Sequence, residues 1–241
     1  MKNKKIIIFS GAGVSAESGV ATFRDNDGLW ENHKVEDVAS IEGWKRDRSK
    51  VLDFYNARRQ QMPSVEPNDA HKLIAELENE FSDVTVITQN VDDLHERAGS
   101  TDIVHLHGEL TKARGEMNYG NPFQVMGEVF DIGYEDINLG DMASDNGSQL
   151  RPHIVWFGEF PFGVAKANNA IKDCDILIII GTSLTISYTH TMLTYVSDTA
   201  KIYYVDPEPC HDLDQYGLNI EYIVEPATIG MKKVFDEITK I

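Results

Sequence analysis

Polar side chains gather at five points of this sequence, and each group could serve a phosphorylated nucleotide. Ile6-Ile7-Ile8-Phe9-Ser10-Gly11-Ala12-Gly13-Val14-Ser15-Ala16-Glu17-Ser18-Gly19 runs from an apolar stretch into a Gly-x-Gly turn, with an acid among the small residues. Such glycines let the backbone approach a pyrophosphate, and a following helix N-terminus favours its negative charge. Thr22-Phe23-Arg24 adds a guanidinium able to form charge-assisted hydrogen bonds to phosphate. Gln89-Asn90-Val91-Asp92 sets two carboxamides beside a carboxylate. Carboxamides both donate and accept, which suits a ligand carboxamide or ribose hydroxyls. Asp92 could equally cap a helix. In His105-Leu106-His107-Gly108 an imidazole could act as general base near neutral pH, or be no more than a satisfied polar group. Gly181-Thr182-Ser183 offers a second phosphate or ribose contact, and the carboxylate of Asp206 could take ribose hydroxyls.

The elements that must position these groups read as a parallel sheet. Lys5 to Phe9, Val84 to Thr88, Ile176 to Ile180 and Ile202 to Val205 are short apolar runs, with weaker candidates at Ile103 to His105 and Tyr222 to Val224. Runs that are apolar throughout suit strands covered on both faces. Helical patterns separate them at Asp69 to Glu80, Phe162 to Lys172 and Ile229 to Lys240. The alternation predicts an α/β fold, a doubly wound parallel sheet, and ligands of such sheets sit at the strands' carboxyl ends. Two stretches break the alternation. Arg24 to Pro67 reads as a loop and helices, Asp37 to Ala39 and Ser49 to Met62, and Gly108 to Arg151 shows little periodicity. Together they predict a smaller inserted module.

With 241 residues and 41% hydrophobic content, the chain is long enough for one large α/β domain, or for a large domain with a smaller insert. No apolar run is long enough to span a bilayer. The basic start leads into too short an apolar run for an export signal, so the cytoplasm is the expected compartment. A net charge of −17 opposes binding to nucleic acid phosphates; it favours basic partners such as lysine-rich segments, or serves no more than solubility. The two cysteines, Cys174 and Cys210, lie far apart and cannot build a zinc site between them. The spacing Gly-x-Gly-(five residues)-Gly also departs from the Gly-x-Gly-x-x-Gly of ordinary dehydrogenases.

These residues resemble the sirtuins, the silent-information-regulator family of NAD-dependent protein deacylases. The matching stretches are residues 11–19, Thr22-Phe23-Arg24, Thr88-Gln89-Asn90-Val91-Asp92, His105-Leu106-His107-Gly108, Leu150-Arg151-Pro152-His153-Ile154-Val155-Trp156-Phe157-Gly158-Glu159 and Gly181-Thr182-Ser183, in family order. The resemblance implies a Rossmann-like NAD domain at approximately 1–30, 68–107 and 151–241, with a module from approximately 31–67 and 108–150. It implies NAD consumed as co-substrate, its cradle formed by Gly11, Ala12, Gly13, Glu17, Phe23, Arg24, Gln89, Asn90, Asp92, Gly181, Thr182, Ser183 and Asp206. An acyl-lysine of a protein or peptide would enter beside Val155 and Phe157, and its carbonyl oxygen would displace nicotinamide from the ribose. Asn90 and Asp92 would act at the nicotinamide end. His107 would be the base that activates a ribose hydroxyl, and the products would be free lysine, nicotinamide and an O-acyl-ADP-ribose.

Tyr55 and Arg58 stand three residues apart within Phe54-Tyr55-Asn56-Ala57-Arg58-Arg59, on one face of a predicted helix. They look like the Tyr-x-x-Arg element of sirtuins that remove succinyl, malonyl and glutaryl groups; the plainer reading is a surface helix with a snorkelling arginine. The family's four zinc-binding cysteines are missing from 108–150. No zinc is therefore expected, and Leu110, Phe123, Val125, Val129, Phe130, Ile132 and Leu139 would have to hold the module together. Leu184-Thr185-Ile186-Ser187-Tyr188-Thr189 stands where many members carry a proline and small residues, and Asp206 where an asparagine is usual. An ADP-ribosyltransferase or NAD hydrolase, or a non-catalytic NAD-binding module, are the competing readings; His107 favours deacylation.

Overall fold

The computed structural model describes residues 2–21, 29–30, 33–117 and 126–240. Strands β1 (Lys2–Ser10), β2 (Phe81–Thr88) and β3 (Ile103–His105) come first in the main sheet. Strands β4 (Gly108–Gly115), β5 (Val129–Asp131) and β6 (Leu150–Ile154) form a separate small sheet. Strands β7 (Ile176–Ile180), β8 (Lys201–Val205) and β9 (Ile220–Ile223) complete the main one. Its order is β9-β8-β7-β1-β2-β3, with each neighbouring pair parallel. The chain winds outward from β1 through β2 to β3, then resumes on β1's other side with β7. The order therefore reverses at β1, which opens a crevice at the carboxyl ends.

Alternation along β1 explains the two layers that cover the sheet. Ile6 and Ile8 face Ile74 and Leu77 of α2 (Asp69–Glu80) and Met231 and Val234 of α6 (Ala227–Ile238), numbering helices from α1 (Arg48–Gln61) in chain order. Ile7 and Phe9 face the opposite layer, with Ala167 and Ile171 of α4 (Val164–Lys172) and Met192 and Leu193 of α5 (Ser187–Leu193). Helix α3 (Leu94–Ala98) follows β2. The start of α2 falls where the sequence places it because Asn68 accepts from the backbone amides of Ala70 and His71.

The smaller module differs from the expected packing. Its stretch 108–150 is strand-rich, an antiparallel sheet ordered β5-β4-β6. A register irregularity between Glu109 and Ala113 breaks the period-two pattern, so the strands do not stand out in the sequence. Leu110 is buried as expected, but Leu139 is 56% exposed and only Ile132 packs at the cluster's edge. Phe123 and Val125 lie outside the described residues. The core comes instead from Trp44, the α1 residues Val51, Leu52, Phe54 and Tyr55, and Ala113, Ile154 and Trp156.

A buried ion cluster ties β4 and β6 to the segment that follows. Glu159 accepts from Arg151 at 2.7 Å and Arg114 at 3.2 Å, and from the backbone amide of Trp156 at 2.9 Å. The Arg151 guanidinium lies over the Trp156 ring, 3.2 Å from its centroid. Burial alone would raise the Glu159 pKa, but Arg151 and Arg114 outweigh it and hold the carboxyl below its usual range. That stabilisation is present above the unfolded value of 4.5 and is lost as the pH falls through the lower, folded value. Glu159→Gln leaves two buried guanidiniums without their counter-charge and should cost about 3 kcal/mol at pH 7 in urea unfolding. The deficit should shrink below pH 4, on the order of the unfolded carboxyl's own titration.

Candidate functional site

The carboxyl ends of β1, β2, β7 and β8 open into a cavity of about 780 Å³, walled on its far side by the smaller module. Its lining includes Ala12, Gly13 and Glu17 after β1, Gln89, Asn90 and Asp92 after β2, and His107 after β3. Gly181, Thr182 and Ser183 follow β7, and Asp206 follows β8. Tyr55, Arg58, Val155 and Phe157 come from the module's side. Phe23 and Arg24 lie outside the described residues. The remaining sequence-derived site residue, Gly11, is packed beneath the lining.

Two loops form the floor by touching. Gly11 N–H donates to the Ile180 carbonyl at 3.0 Å and Gly13 N–H to that of Gly181 at 2.8 Å. A Cβ on Gly13 would stand 2.7 Å from the Gly181 Cα, and one on Gly181 would stand 2.2 Å from the Val14 nitrogen. Gly181 also holds φ at +63°, where a side chain is strained. The helix expected after β1 is a single turn, Gly13–Ala16, so the concavity owes its shape to the paired loops and not to a long helix.

Ser15 on that turn organises the polar wall. Its hydroxyl donates to Asp92 Oδ2 at 3.1 Å and accepts from Asn90 Nδ2 at 3.0 Å. The second Asp92 oxygen accepts the Leu94 amide at 3.2 Å, the helix-capping role open to it in the sequence. Asn90 and Asp92 are thus held side by side while each still faces the cavity. Burial pushes the Asp92 pKa up to about 6, although the Leu94 and Ser15 hydrogen bonds pull it down. Behind them lie two buried histidines, His71 near Ser15 and His95 2.9 Å from Ser10. Burial pulls His71 down to about 4 and His95 well below its ordinary value, so both are neutral at pH 7.

The two strand-end histidines have separate fates. His105 bonds Glu96 at 2.6 Å, away from the cavity lining. His107 faces the cavity; its Nδ1 lies 2.9 Å from the Gln89 carbonyl and its Nε2 lies 2.6 Å from the Tyr188 hydroxyl. Burial lowers its pKa below the usual 6.5, against the Gln89 bond. Gln89 Oε1 in turn accepts from Thr182 at 2.8 Å, linking the ends of β2 and β7.

At the far end, carboxylates are engaged by the protein itself. Glu17 accepts the backbone amide of Thr228 at 2.9 Å and its hydroxyl at 2.7 Å, which caps α6. Asp206 accepts the Glu208 amide at 2.8 Å. On the module side, Tyr55 is fully buried and its hydroxyl accepts the Trp156 indole N–H at 3.1 Å. Arg58 is 6% exposed and reaches the same cavity one helical turn away. Sequence reasoning did not single out Ser15, Tyr188 or Glu159 as functional. A hydroxyl two residues beyond the Gly-x-Gly turn was a readable signal for the first, whereas Tyr188 meets His107 only through the fold.

Neither cysteine reaches the module. Cys174 is buried in the layer with α4 and α5, which pushes its thiol up to about 11, and Cys210 packs at that layer's edge. Among the described residues, the group with metal-ligand spacing is Glu96, His105 and Glu109, where Lys112 also pairs with Glu109. No described helix is long and apolar enough to cross a membrane.

Comparison with known proteins gives a consistent result. The model of the Sir2 family matches residues 11–188. A protein of Helicobacter pylori named NAD-dependent protein deacylase is 47% identical over 239 residues, covering 99% of both chains. One of the same name from Bacteroides thetaiotaomicron is 51% identical over 206 residues, 86% of each chain. A crystal structure of a Sir2 homologue–NAD complex superposes with a TM-score of 0.83 at 32% identity, covering 99% of this chain and 91% of that one.

The raised pKa of Asp92 makes it a cost to folding. The unfolded carboxyl ionises near 3.8 while the folded one holds its proton to about 6, so its contribution to stability falls as pH rises between those values. Asp92→Asn should remove that slope and stabilise the protein at pH 7 by up to about 3 kcal/mol. Urea titrations from pH 4 to 8 on both proteins check this.

Proposed function

The chain belongs to the Sir2 family, and on that premise we propose that it is an NAD-dependent protein-lysine deacylase whose acyl pocket also accepts acidic acyl groups. One observation carries the reading: Asn90, Asp92 and His107 share a single cavity with Tyr55 and Arg58. The cavity has room for a dinucleotide end and an acyl chain together, since such sites run to about 1,000 Å³.

NAD fits the residues present. The glycine floor is a cradle that a Cβ would fill, and the Ser15-held pair offers a carboxamide donor and acceptor beside a carboxylate. When bound, NAD supplies the glycosidic bond whose cleavage drives acyl transfer. Gly13 and the Gly181-Thr182-Ser183 loop would border the pyrophosphate. Asn90 and Asp92 would orient the nicotinamide end, and their low exposure keeps water from the reacting carbon. His107 is neutral near pH 7, with its Nδ1 proton directed to Gln89, so its Nε2 would accept the ribose hydroxyl proton. Val155 and Phe157 would flank the acyl-lysine between the NAD-binding unit and the smaller module. Phe157 is 61% exposed and available to a peptide. The protein's −17 charge suits lysine-rich segments.

The finer assignment, removal of succinyl and malonyl groups, rests on Tyr55 and Arg58. A phenol and a guanidinium side by side can hold a carboxylate, the guanidinium bidentately. The absence of zinc ligation belongs to the same reading, because the module is closed by the Trp44–Trp156 cluster and the Glu159 ion cluster.

Incubation with NAD and matched acetyl-, succinyl- and malonyl-lysine peptides, followed by mass spectrometry, tests the function. His107→Ala should lower deacylation at least about 100-fold on every peptide. Arg58→Met should lower succinyl removal about 10-fold or more while acetyl removal changes little. Equal loss on both peptides would remove the carboxylate role. Metal analysis of protein purified without chelator should find no stoichiometric zinc.

A further inference from the structure

Both ring nitrogens of His107 are occupied. The Gln89 carbonyl can only accept, so Nδ1 carries the proton and Nε2 presents the lone pair. The Tyr188 hydroxyl donates to that lone pair at 2.6 Å, its ring almost perpendicular to the imidazole at 87°. Burial pushes the phenol up to about 12, which keeps it a donor at neutral pH. An imidazole nitrogen has one lone pair in its plane. While Tyr188 holds it, no ribose hydroxyl can deliver a proton there.

We propose that Tyr188 is a resting-state cap on His107, a positioning residue that holds the base in its unprotonated form and must swing away before the ribose hydroxyl can reach it. The inference rests on His107 being the base. The same phenol lines the cavity beside both His107 and Gln89. It therefore fills the space between two groups that a bound ribose needs. A proton relay through the phenol would account for the His107 contact but not for this blocking position.

Tyr188 follows a strained turn at the start of a short helix. Tyr188 is the second residue of the short helix α5, whose N-cap residue Ile186 makes no side-chain capping bond. The turn leading into it places Leu184 at φ +55°, the one non-glycine residue with positive φ among those described. Thr185 and Ile186 on that turn are exposed, and Tyr188 packs only at the edge of the apolar layer that holds Leu184, Met192 and Leu193.

Tyr188→Phe keeps the ring and removes the cap. With NAD varied at saturating acetyl-lysine peptide, the KM for NAD should fall about five-fold, the worth of one neutral hydrogen bond, with kcat unchanged or higher. The ¹⁵N resonance of the free enzyme's His107 Nε2 should move downfield as it loses its donor. A kcat that drops 10-fold or more at constant KM would make the phenol a relay and overturn the cap, while leaving His107 as the base. Unchanged kinetics and an unchanged ¹⁵N resonance would also overturn it. Full deacylation by His107→Ala in parallel would instead overturn the reading of the base itself, and the cap with it.

Discussion

The site depends on how closely two strand-end loops approach. Where β1 and β7 end, the backbones of Gly13 and Gly181 meet at distances that leave no room for a Cβ on either. Hydrogen bonds from Gly11 to Ile180, from Gly13 to Gly181 and from Gly181 to Val205 stitch three neighbouring strand ends into one rim. Those bonds fix where Ser15 stands. Ser15 fixes Asn90 and Asp92, and Gln89, bonded through its amide to Ser10 and through its side chain to Thr182, fixes His107. A wider separation of the loops would loosen every one of these contacts together.

The price of that order is polar burial. Asp92, His71 and His95 sit where water does not reach, and each is pushed toward its neutral form. Water would solvate these groups better, so the arrangement persists because hydrogen bonds replace part of the hydration and the surrounding apolar layers supply the rest. Sites that act on a ligand accept such costs in exchange for groups already aimed at it. The smaller module meets a related cost differently. Two guanidiniums and one carboxylate are buried together, with the Trp156 ring stacked on Arg151, so no charge in that cluster stands alone.

One wall of the cavity is shared with the core of the smaller module. Trp156 belongs to the apolar cluster of the module, donates its indole N–H to Tyr55 and follows directly on Val155, which lines the cavity. The wall that would meet an acyl-lysine is thus continuous with the core that closes the module. The shape of this side of the cavity and the stability of the module therefore rest on the same side chains.

Much of this was legible in the sequence because its causes are local. Continuous apolar runs ending in small or polar residues gave the buried strands, the helical pattern of Asp69 to Glu80 gave α2, and ligand-facing groups fall just after strands by the rule of doubly wound sheets. The strand pattern of 108–150 was not legible, since a register irregularity hides the alternation, and neither was the aromatic core, whose members come from four separate segments. Residue types and spacing by themselves determined the family, the parallel sheet and the roster of strand-end polar groups. Only the tertiary structure decided that His105 turns to Glu96 while His107 faces the cavity, that Glu17 caps α6, and that Tyr188 closes on His107 from 81 residues away. Those choices depend on distances across the fold, and such distances exist only once the chain has packed.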